Sequence, residues 1–421
     1  MRNCPAQSLR IFAVCLLVIP TAWSQEIAEF KVQSAAIKYI HSPKADGDPA
    51  PLLVALPDSP ELAAATETFN QWKSSLAGSG WLVVVPVMPG GTDPAAKILE
   101  LLVHGVAARL NADPLRVLLA GAGNVGSDVF YAVARTPGVY AAGVAVQANP
   151  TAAISSAKLF AANTINTPVL WIHPPNHMDE MQRRLREAGF NFEVMADAKL
   201  GPILEWMNSR RRAQFPLKLD FETHSPAFAE YAWIKVTKFD PSKRNAALPT
   251  SRVYPGTGAS LDLGGFGYDP DAPGPGLLVA FLPDGYKGPL QSGDRILSVG
   301  DRKIENGVDY MKYIDTVSEE KSIGVMIDRG GRRERIETRI VLPSRTAAIT
   351  ARFQAEYVPS IKEVLLITRG VAALQLTIPE DWAPSQASLN GLDLPKIESP
   401  GCYEASLDGQ TATMKPCSAG Q

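Results

Sequence analysis

Residues 116–127 read Arg-Val-Leu-Leu-Ala-Gly-Ala-Gly-Asn-Val-Gly-Ser and carry the clearest structural signal in the chain. The first half is a leucine and β-branched run, which is typical of a buried strand. Three glycines then crowd a turn, and residues 128–135 follow with the spacing of an amphipathic helix. The stretch therefore predicts a strand, a tight turn and a helix in immediate succession.

Similar apolar runs surround this stretch and alternate with helical patterns of ten or more residues. The predicted strands occupy residues 51–57, 81–87, 141–146, 168–173 and 192–195. Strands that alternate with helices in this way form right-handed βαβ units and a mostly parallel sheet. We therefore assign residues 25–216 to an α/β domain.

Composition excludes some classes of function. The chain has 421 residues, 46% hydrophobic and 20% charged, with a formal net charge of −2. This length allows two to four domains. A nearly neutral chain gives no reason to expect nucleic acid or an anionic membrane as a partner.

The N-terminus predicts export. Residues 1–24 combine Arg2 and Arg10 with an apolar stretch and a small-x-small site before Gln25, the pattern of a signal peptide. An uncleaved anchor is the alternative. After cleavage Cys402 and Cys417 remain as an even pair, which predicts a disulfide in a secreted or periplasmic protein.

The α/β segment resembles the α/β-hydrolase superfamily, in particular its esterase-like members. The resemblance rests on the order of four phrases, at residues 54–58, 119–126, 167–173 and 185–190. In that family the glycine-rich turn is the elbow that carries a nucleophilic serine. Here Gly123 occupies that place, and Pro57-Asp58 stands in place of the family's oxyanion loop. The resemblance thus implies the fold, while the catalytic positions depart from its pattern.

Three residues remain as weak catalytic candidates. Ser127 follows the elbow too late and is expected at the start of the helix, Asp179 follows the fifth strand, and His177 lies beside it. His173 and His177 have the spacing of two zinc ligands on a helix, but the prolines between them argue against a helix and a metal site.

The elbow also matches the glycine pattern of a dinucleotide-binding turn. Such a turn belongs on the first strand of its unit with an acidic residue about 20 positions later. Here it follows the third strand and Gln147 stands near the acidic position. We therefore predict no cofactor.

A second domain is indicated by residues 288–304, which read Gly-Pro-Leu-Gln-Ser-Gly-Asp-Arg-Ile-Leu-Ser-Val-Gly-Asp-Arg-Lys-Ile. This phrase closely resembles PDZ domains, so residues 251–345 are assigned to a PDZ-like β domain. Residues 217–250 alternate as strands and are interpreted as a β linker segment. Residues 346–421 are interpreted as a small C-terminal β domain.

The PDZ resemblance implies a groove that binds a peptide C-terminus by adding it as a strand to a sheet edge. Glycines let backbone amides point toward a carboxylate. A merely flexible hairpin is the alternative. The expected peptide-binding residues are Leu263, Gly264, Gly265, Phe266 and Gly267 of the turn, with Val308, Met311 and Lys312 of the following helix.

Together these patterns predict an exported, non-catalytic scaffold or peptide-binding protein, because every position of the hydrolase triad departs from the family. The alternative is a secreted serine hydrolase, an esterase or peptidase, with an unrecognised nucleophile.

Overall fold

The structure is a computed structural model that describes residues 26–417 apart from 33–34, 177, 198, 255, 270–271, 344–349 and 409–410. The predicted signal peptide lies outside the described residues.

The first unit is built on an eight-stranded sheet. Its strands are β1 (Glu26–Val32), β2 (Ala35–His41), β3 (Ala50–Ala55), β4 (Leu82–Pro86), β5 (Ala112–Ala122), β6 (Ala142–Val146), β7 (Val169–Ile172) and β8 (Phe192–Met195). They lie in the order β1-β2-β4-β3-β5-β6-β7-β8. From β4 onward the neighbours are parallel, and β1 and β2 are antiparallel. The predicted mostly parallel sheet is thus confirmed.

Six helices cover both faces of this sheet. They are α1 (Leu62–Ser75), α2 (Asp93–Leu110), α3 (Gly126–Arg135), α4 (Thr151–Ser155), α5 (Asp179–Glu187) and α6 (Leu200–Asn208). Thr92 caps α2, because its hydroxyl accepts a hydrogen bond from the Ala95 amide at 3.3 Å. Apolar side chains from α2 and α3 pack on one face, and those from α1 and α6 pack on the other. Burial on both faces explains why the central strands are nearly continuous apolar runs.

The chain then forms β9 (Lys218–Thr223), β10 (Glu230–Tyr231) and β11 (Ile234–Phe239). An antiparallel sheet follows, made of β12 (Ser260–Leu261), β13 (Gly267–Asp269), β14 (Leu277–Phe281), β15 (Arg295–Val299), β16 (Arg302–Lys303), β17 (Lys321–Arg329) and β18 (Arg332–Val341). Its order is β12-β18-β17-β15-β14-β13, with β16 paired to β15. Helix α7 (Gly307–Ile314) packs on this sheet, because Tyr310 and Ile314 belong to its apolar core.

The last strands return to β9 and β11. They are β19 (Ala351–Val358), β20 (Glu363–Arg369), β21 (Val371–Ile378), β22 (Gln386–Leu389), β23 (Leu392–Asp393), β24 (Gly401–Asp408) and β25 (Thr411–Pro416). Strand β9 pairs with β19, and β11 pairs with β21. The two five-stranded sheets, β10-β11-β21-β24-β25 and β23-β22-β20-β19-β9, share one apolar core. Residues 217–250 are therefore integral strands of the C-terminal unit, which corrects their interpretation as a linker.

One buried carboxylate joins the two parts of this C-terminal unit. Glu222 of β9 is fully buried, and its Oε1 accepts hydrogen bonds from Thr250 at 2.8 Å, Thr350 at 2.5 Å and Arg369 at 2.7 Å. Thr250 precedes the sheet formed by β12–β18 and Thr350 follows it. That sheet is therefore an insertion whose two ends meet at Glu222.

A disulfide links Cys402 to Cys417 in the structure, with Cα atoms 5.3 Å apart. This confirms the predicted pair and is consistent with an extracellular location. None of the helices in the described part of the chain has the length and apolar character needed to cross a membrane.

Candidate active site

The elbow between β5 and α3 is the turn expected from the sequence. A 3-10 turn, Gly123–Val125, joins the strand to the helix. A Cβ at Gly121 would lie 2.7 Å from the carbonyl oxygen of Val125, so only glycine allows the turn to close so tightly. Gly123 has a φ of +57°, in the left-handed region that favours glycine. The glycines of the elbow thus have backbone reasons to be there.

Gly123 is exposed, and a Cβ built on it would have no described heavy atom within 4 Å. The space beside Gly123 at the tip of the elbow is therefore open. Asn124 beside it is also exposed. The elbow offers backbone amides at the start of α3, which suit a developing negative charge, but it offers no nucleophilic side chain.

Ser127 does not fill this gap. Its side chain is buried, with 4% of the residue exposed, and its hydroxyl accepts a hydrogen bond from the Ala153 amide at 3.1 Å. This bond ties α3 to α4. Ser127 therefore lies where the sequence analysis expects it, at the start of the helix, and its oxygen takes part in a local hydrogen bond, as a hydroxyl in the first helical turn often does.

The other predicted residues are not gathered around Ser127. Asp179 is exposed as the first residue of α5, and His177 lies outside the described residues. His173 follows β7 with a left-handed φ of 47°, and its Nδ1 is hydrogen-bonded to the carbonyl of Ala196. No serine, histidine and carboxylate triad is formed by the side chains that the structure describes here.

Asp128 is the functional candidate that the sequence analysis missed. It lies in the first turn of α3, five residues after Gly123, and its carboxyl group packs against Gly90 and Gly91. A Cβ on either glycine would collide with that carboxyl group. Burial raises the pKa of Asp128 to about 6. A carboxyl group with such a pKa can take up and release a proton near neutral pH.

The position of Asp128 follows from the sheet order. Gly90 and Gly91 follow the carboxyl end of β4, and the elbow follows the carboxyl end of β5. Because β3 lies between β4 and β5, Asp128 bridges two loops that flank the carboxyl end of β3. Ligands of open α/β sheets bind at this edge. In the sequence, the only trace of this contact is the pair of glycines after the buried strand β4. No local sequence pattern connects that pair with Asp128.

A second carboxylate, that of Asp93, has a lowered pKa, whereas the pKa of Asp128 is raised. Asp93 begins α2, and its Oδ1 accepts hydrogen bonds from Tyr131 at 2.6 Å and Arg135 at 2.9 Å, while Lys158 donates to Oδ2 at 2.7 Å. Burial opposes ionisation of Asp93, but these hydrogen bonds and the Arg135 charge outweigh it and lower its pKa to about 2. Asp93 is therefore ionised at neutral pH, whereas the pKa of Asp128 lies close to neutral pH.

Metal ligands do not converge in the described part of the chain: no three His, Cys, Asp or Glu side chains there are placed to hold an ion.

A separate groove lies in the inserted sheet. A cavity of about 660 Å³ runs between α7 and the turn that leads into β13, and its lining includes Gly264, Gly265, Phe266 and Met311. Strand β13 ends the sheet, so one of its edges is unpaired within it. Tyr268 of β13 faces Tyr310 of α7, with ring centroids 5.6 Å apart. An open strand edge beside a helix is the geometry of strand addition.

Four of the predicted peptide-binding residues meet in this groove and the others do not. Leu263 is buried in the core, Gly267 begins β13, and Val308 does not line the cavity. Lys312 lies on another side of α7, against a cavity that it shares with α5. The lining residues that the sequence analysis missed include Tyr268, Tyr310 and Ile314.

Comparison with known proteins gave matches among solved structures only. No protein-family model and no curated protein sequence matches the chain. A thermostable esterase is 14% identical, with a TM-score of 0.36, over 45% of this chain and 63% of the esterase. Porphyromonas gingivalis dipeptidyl peptidase 4 is 14% identical, with a TM-score of 0.34, over 44% of this chain and 35% of the peptidase. Staphylococcus aureus fluorophosphonate-binding serine hydrolase F is 9% identical, with a TM-score of 0.35, over 44% of this chain and 98% of that protein.

The chain thus spans about a third of the peptidase and less than two thirds of the esterase. The first unit has an α/β-hydrolase-like fold, and that statement rests on its strand order. The prediction of a non-catalytic scaffold or peptide-binding protein is corrected by these comparisons, because the matching structures are an esterase, a peptidase and a serine hydrolase.

Proposed function

We propose that this chain is an ester or peptide hydrolase that acts at the carboxyl edge of the first sheet, with water as the attacking group and Asp128 as the general base. The observation that carries the proposal is the pairing of an open elbow at Gly123 with a carboxyl group of pKa about 6 in the first turn of the same helix.

In this reaction the oxygen of water attacks the acyl carbon and its proton passes to Asp128. The carbonyl oxygen becomes an oxyanion, which the amides at the start of α3 stabilise. The intermediate then expels the alcohol or amine, which receives the proton from Asp128, and a carboxylic acid remains. The open space at Gly123 gives water and the acyl group room that a serine side chain would occupy.

Turnover of nitrophenyl esters and of a peptide library by the mature chain tests this proposal. We expect hydrolysis above the buffer rate, a loss of at least about 100-fold in Asp128→Asn, and unchanged rates in Ser127→Ala. Asp179→Asn is the matched control, because Asp179 is an exposed carboxylate in the first turn of another helix. Absence of turnover in the wild type would overturn the proposal. Loss of activity in Ser127→Ala, or labelling of a serine by a fluorophosphonate, would show that the nucleophile is a serine and not water.

We further propose that the inserted sheet is a PDZ-like module that recruits an extended peptide, preferably by its C-terminus, to this hydrolase. The groove beside β13 supports this, because Gly264 and Gly265 have φ values of +83° and +74° and can turn their amides toward a carboxylate. Met311 would contact the peptide side chains, since it is exposed and lines the groove.

A C-terminal peptide library tests the module. We expect binding that weakens at least about tenfold when the peptide terminus is amidated, because the captured carboxylate is lost. Met311→Glu should abolish binding, while Lys312→Glu, one residue along but outside the groove, should preserve it. Equal affinity for amidated and free peptides would refute capture of a carboxylate. We also propose that the chain works outside the cytoplasm, with its disulfide as support.

A further inference from the structure

A polar cavity of about 450 Å³ lies at the junction of the first unit with the C-terminal unit. The first unit contributes residues of α2 and the end of α3, including Arg135. The C-terminal unit contributes the 3-10 turn Pro226–Phe228 and strands β10 and β11, and Arg212 comes from the segment between the two units. This cavity is distinct from the groove in the inserted sheet, with which it shares no lining residue.

Arg135 in the cavity wall has more donors than partners. Its side chain is fully buried, and its Nε donates to Asp93 at 2.9 Å. Its two terminal nitrogens, Nη1 and Nη2, are buried without an acceptor among the described residues. Phe228 stacks on the guanidinium at 4.2 Å and stabilises its charge, but it accepts no hydrogen bond in the plane of the fork. Buried guanidinium donors that lack acceptors reduce the stability of the folded state unless an ion or a water molecule accepts their hydrogen bonds.

Arg212 repeats the pattern. Its Nε is buried without an acceptor among the described side chains, and burial lowers the pKa of its guanidinium. A nearby anion would offset that loss of hydration.

The remaining charges of the cavity are already paired. Lys97 lies 2.7 Å from Glu100, and Lys235 lies 3.8 Å from Glu230, so each pair is neutral within itself. Asp93, the partner of Arg135, is shared with Lys158 at 2.7 Å. The uncompensated charge at this junction is therefore positive and belongs to guanidinium groups.

We propose that this cavity binds an oxyanion, a carboxylate or phosphate group, held by Arg135 and Arg212. A guanidinium fork matches either group by two parallel hydrogen bonds. Because the cavity is formed by both units, a bound oxyanion stabilises their junction.

Thermal unfolding in sodium phosphate, sodium acetate and sodium chloride at equal ionic strength and pH tests the proposal. Phosphate or acetate should raise the melting temperature of the wild type above its value in chloride by about 2–4 °C or more, with saturation. The two salts distinguish a phosphate site from a carboxylate site. Phosphate also stabilises proteins nonspecifically, so variants must separate the two effects.

Arg212→Met should lose at least half of this shift. Arg135→Lys should lose it as well, because lysine keeps the charge beside Asp93 but lacks the fork. Arg211→Met is the matched control: Arg211 is exposed, pairs with Asp113 and does not line the cavity, so its shift should equal that of the wild type. If Arg135→Lys does not fold, the shift in melting temperature of Arg212→Met tests the proposal on its own. Absence of a shift in the wild type, or equal shifts in Arg212→Met and Arg211→Met, would overturn the proposal.

Discussion

Asp93 and Asp128 each lie in the first turn of a helix, α2 and α3, and their surroundings shift the two pKa values in opposite directions. Asp93 receives three hydrogen bonds from cationic or phenolic donors, whereas burial against Gly90 and Gly91 dominates at Asp128. A carboxylate that is buried without such donors reduces stability, and reactive groups in enzymes commonly have this cost.

Asp128→Asn should therefore stabilise the protein above pH 6. Below about pH 3 Asp128 is protonated in both the folded and the unfolded chain, so the substitution changes little. As the pH rises toward 6 the unfolded chain releases its proton first, and the folded state pays to ionise Asp128. The gain in the free energy of unfolding should reach about 1–2 kcal/mol at pH 8, after allowance for partial solvent access.

Urea unfolding of both proteins between pH 4 and pH 8 measures this gain. Asp179→Asn serves as the control, because its exposed carboxylate should show no such trend. A gain for Asp128→Asn that is independent of pH would contradict the burial of an ionisable group at this site.

At the scale of the element, the elbow was predictable because its requirements are local. A leucine and β-branched run, close-packed glycines and an amphipathic helix follow one another within twenty residues, so the sequence pattern alone places β5 and α3. Local patterns could not identify Asp128 as a candidate site residue. Its raised pKa depends on burial against Gly90 and Gly91, and these glycines contact Asp128 only because of the order of β3, β4 and β5 in the sheet. The same holds for Tyr268 and Tyr310, which meet only across the groove.

Two glycines of the elbow should respond differently to alanine. Gly121→Ala should cost about 2–3 kcal/mol, because its Cβ would lie 2.7 Å from a backbone oxygen that cannot move without breaking the turn. Gly123→Ala should cost only about 1 kcal/mol, since the space is open and only the left-handed φ is unfavourable. Urea unfolding of the two variants decides between them, and equal costs would refute the packing account.

The disulfide should support the hairpin of β24 and β25. Its loop spans 15 residues, for which replacement of both Cys402 and Cys417 by serine should lower the free energy of unfolding by about 2–4 kcal/mol. A reducing agent should destabilise the wild type by a similar amount and leave the double variant unchanged. If reduction has no effect on the wild type, the bond contributes nothing to stability.

At the scale of the whole molecule, local sequence patterns predict strands but do not predict which strands pair. Residues 217–250 show strand alternation, and nothing local tells that β9 and β11 pair with strands more than 120 residues later. Side-chain periodicity fixes which face of a strand is buried, whereas the partner strand is chosen by tertiary packing. Glu222 is the physical link, since it receives hydrogen bonds from residues on both sides of the insertion.

This connectivity predicts that the inserted sheet can be removed without unfolding the rest. Residues 255–348 can be replaced by a linker of about six Gly and Ser residues. Such a linker is long enough to run from residue 254 back past residues 251–254 and to join the strand that begins at Ala351. The shortened chain should keep ester hydrolysis and a melting temperature within a few degrees of the wild type, and lose peptide binding. A chain that ends at residue 250 should aggregate, because β9 and β11 lose their partners. A well-folded chain ending at 250 would contradict the shared core.

The pH dependence of kcat/KM for a nitrophenyl ester tests the central claim, that Asp128 acts as a general base beside an elbow without a serine. We expect the rate to rise tenfold per pH unit below about pH 6 and to level off above it, and on this plateau Asp128→Asn should be at least about 100-fold slower. A wild-type rate equal to the buffer rate, or one that Asp128→Asn leaves unchanged, would contradict it.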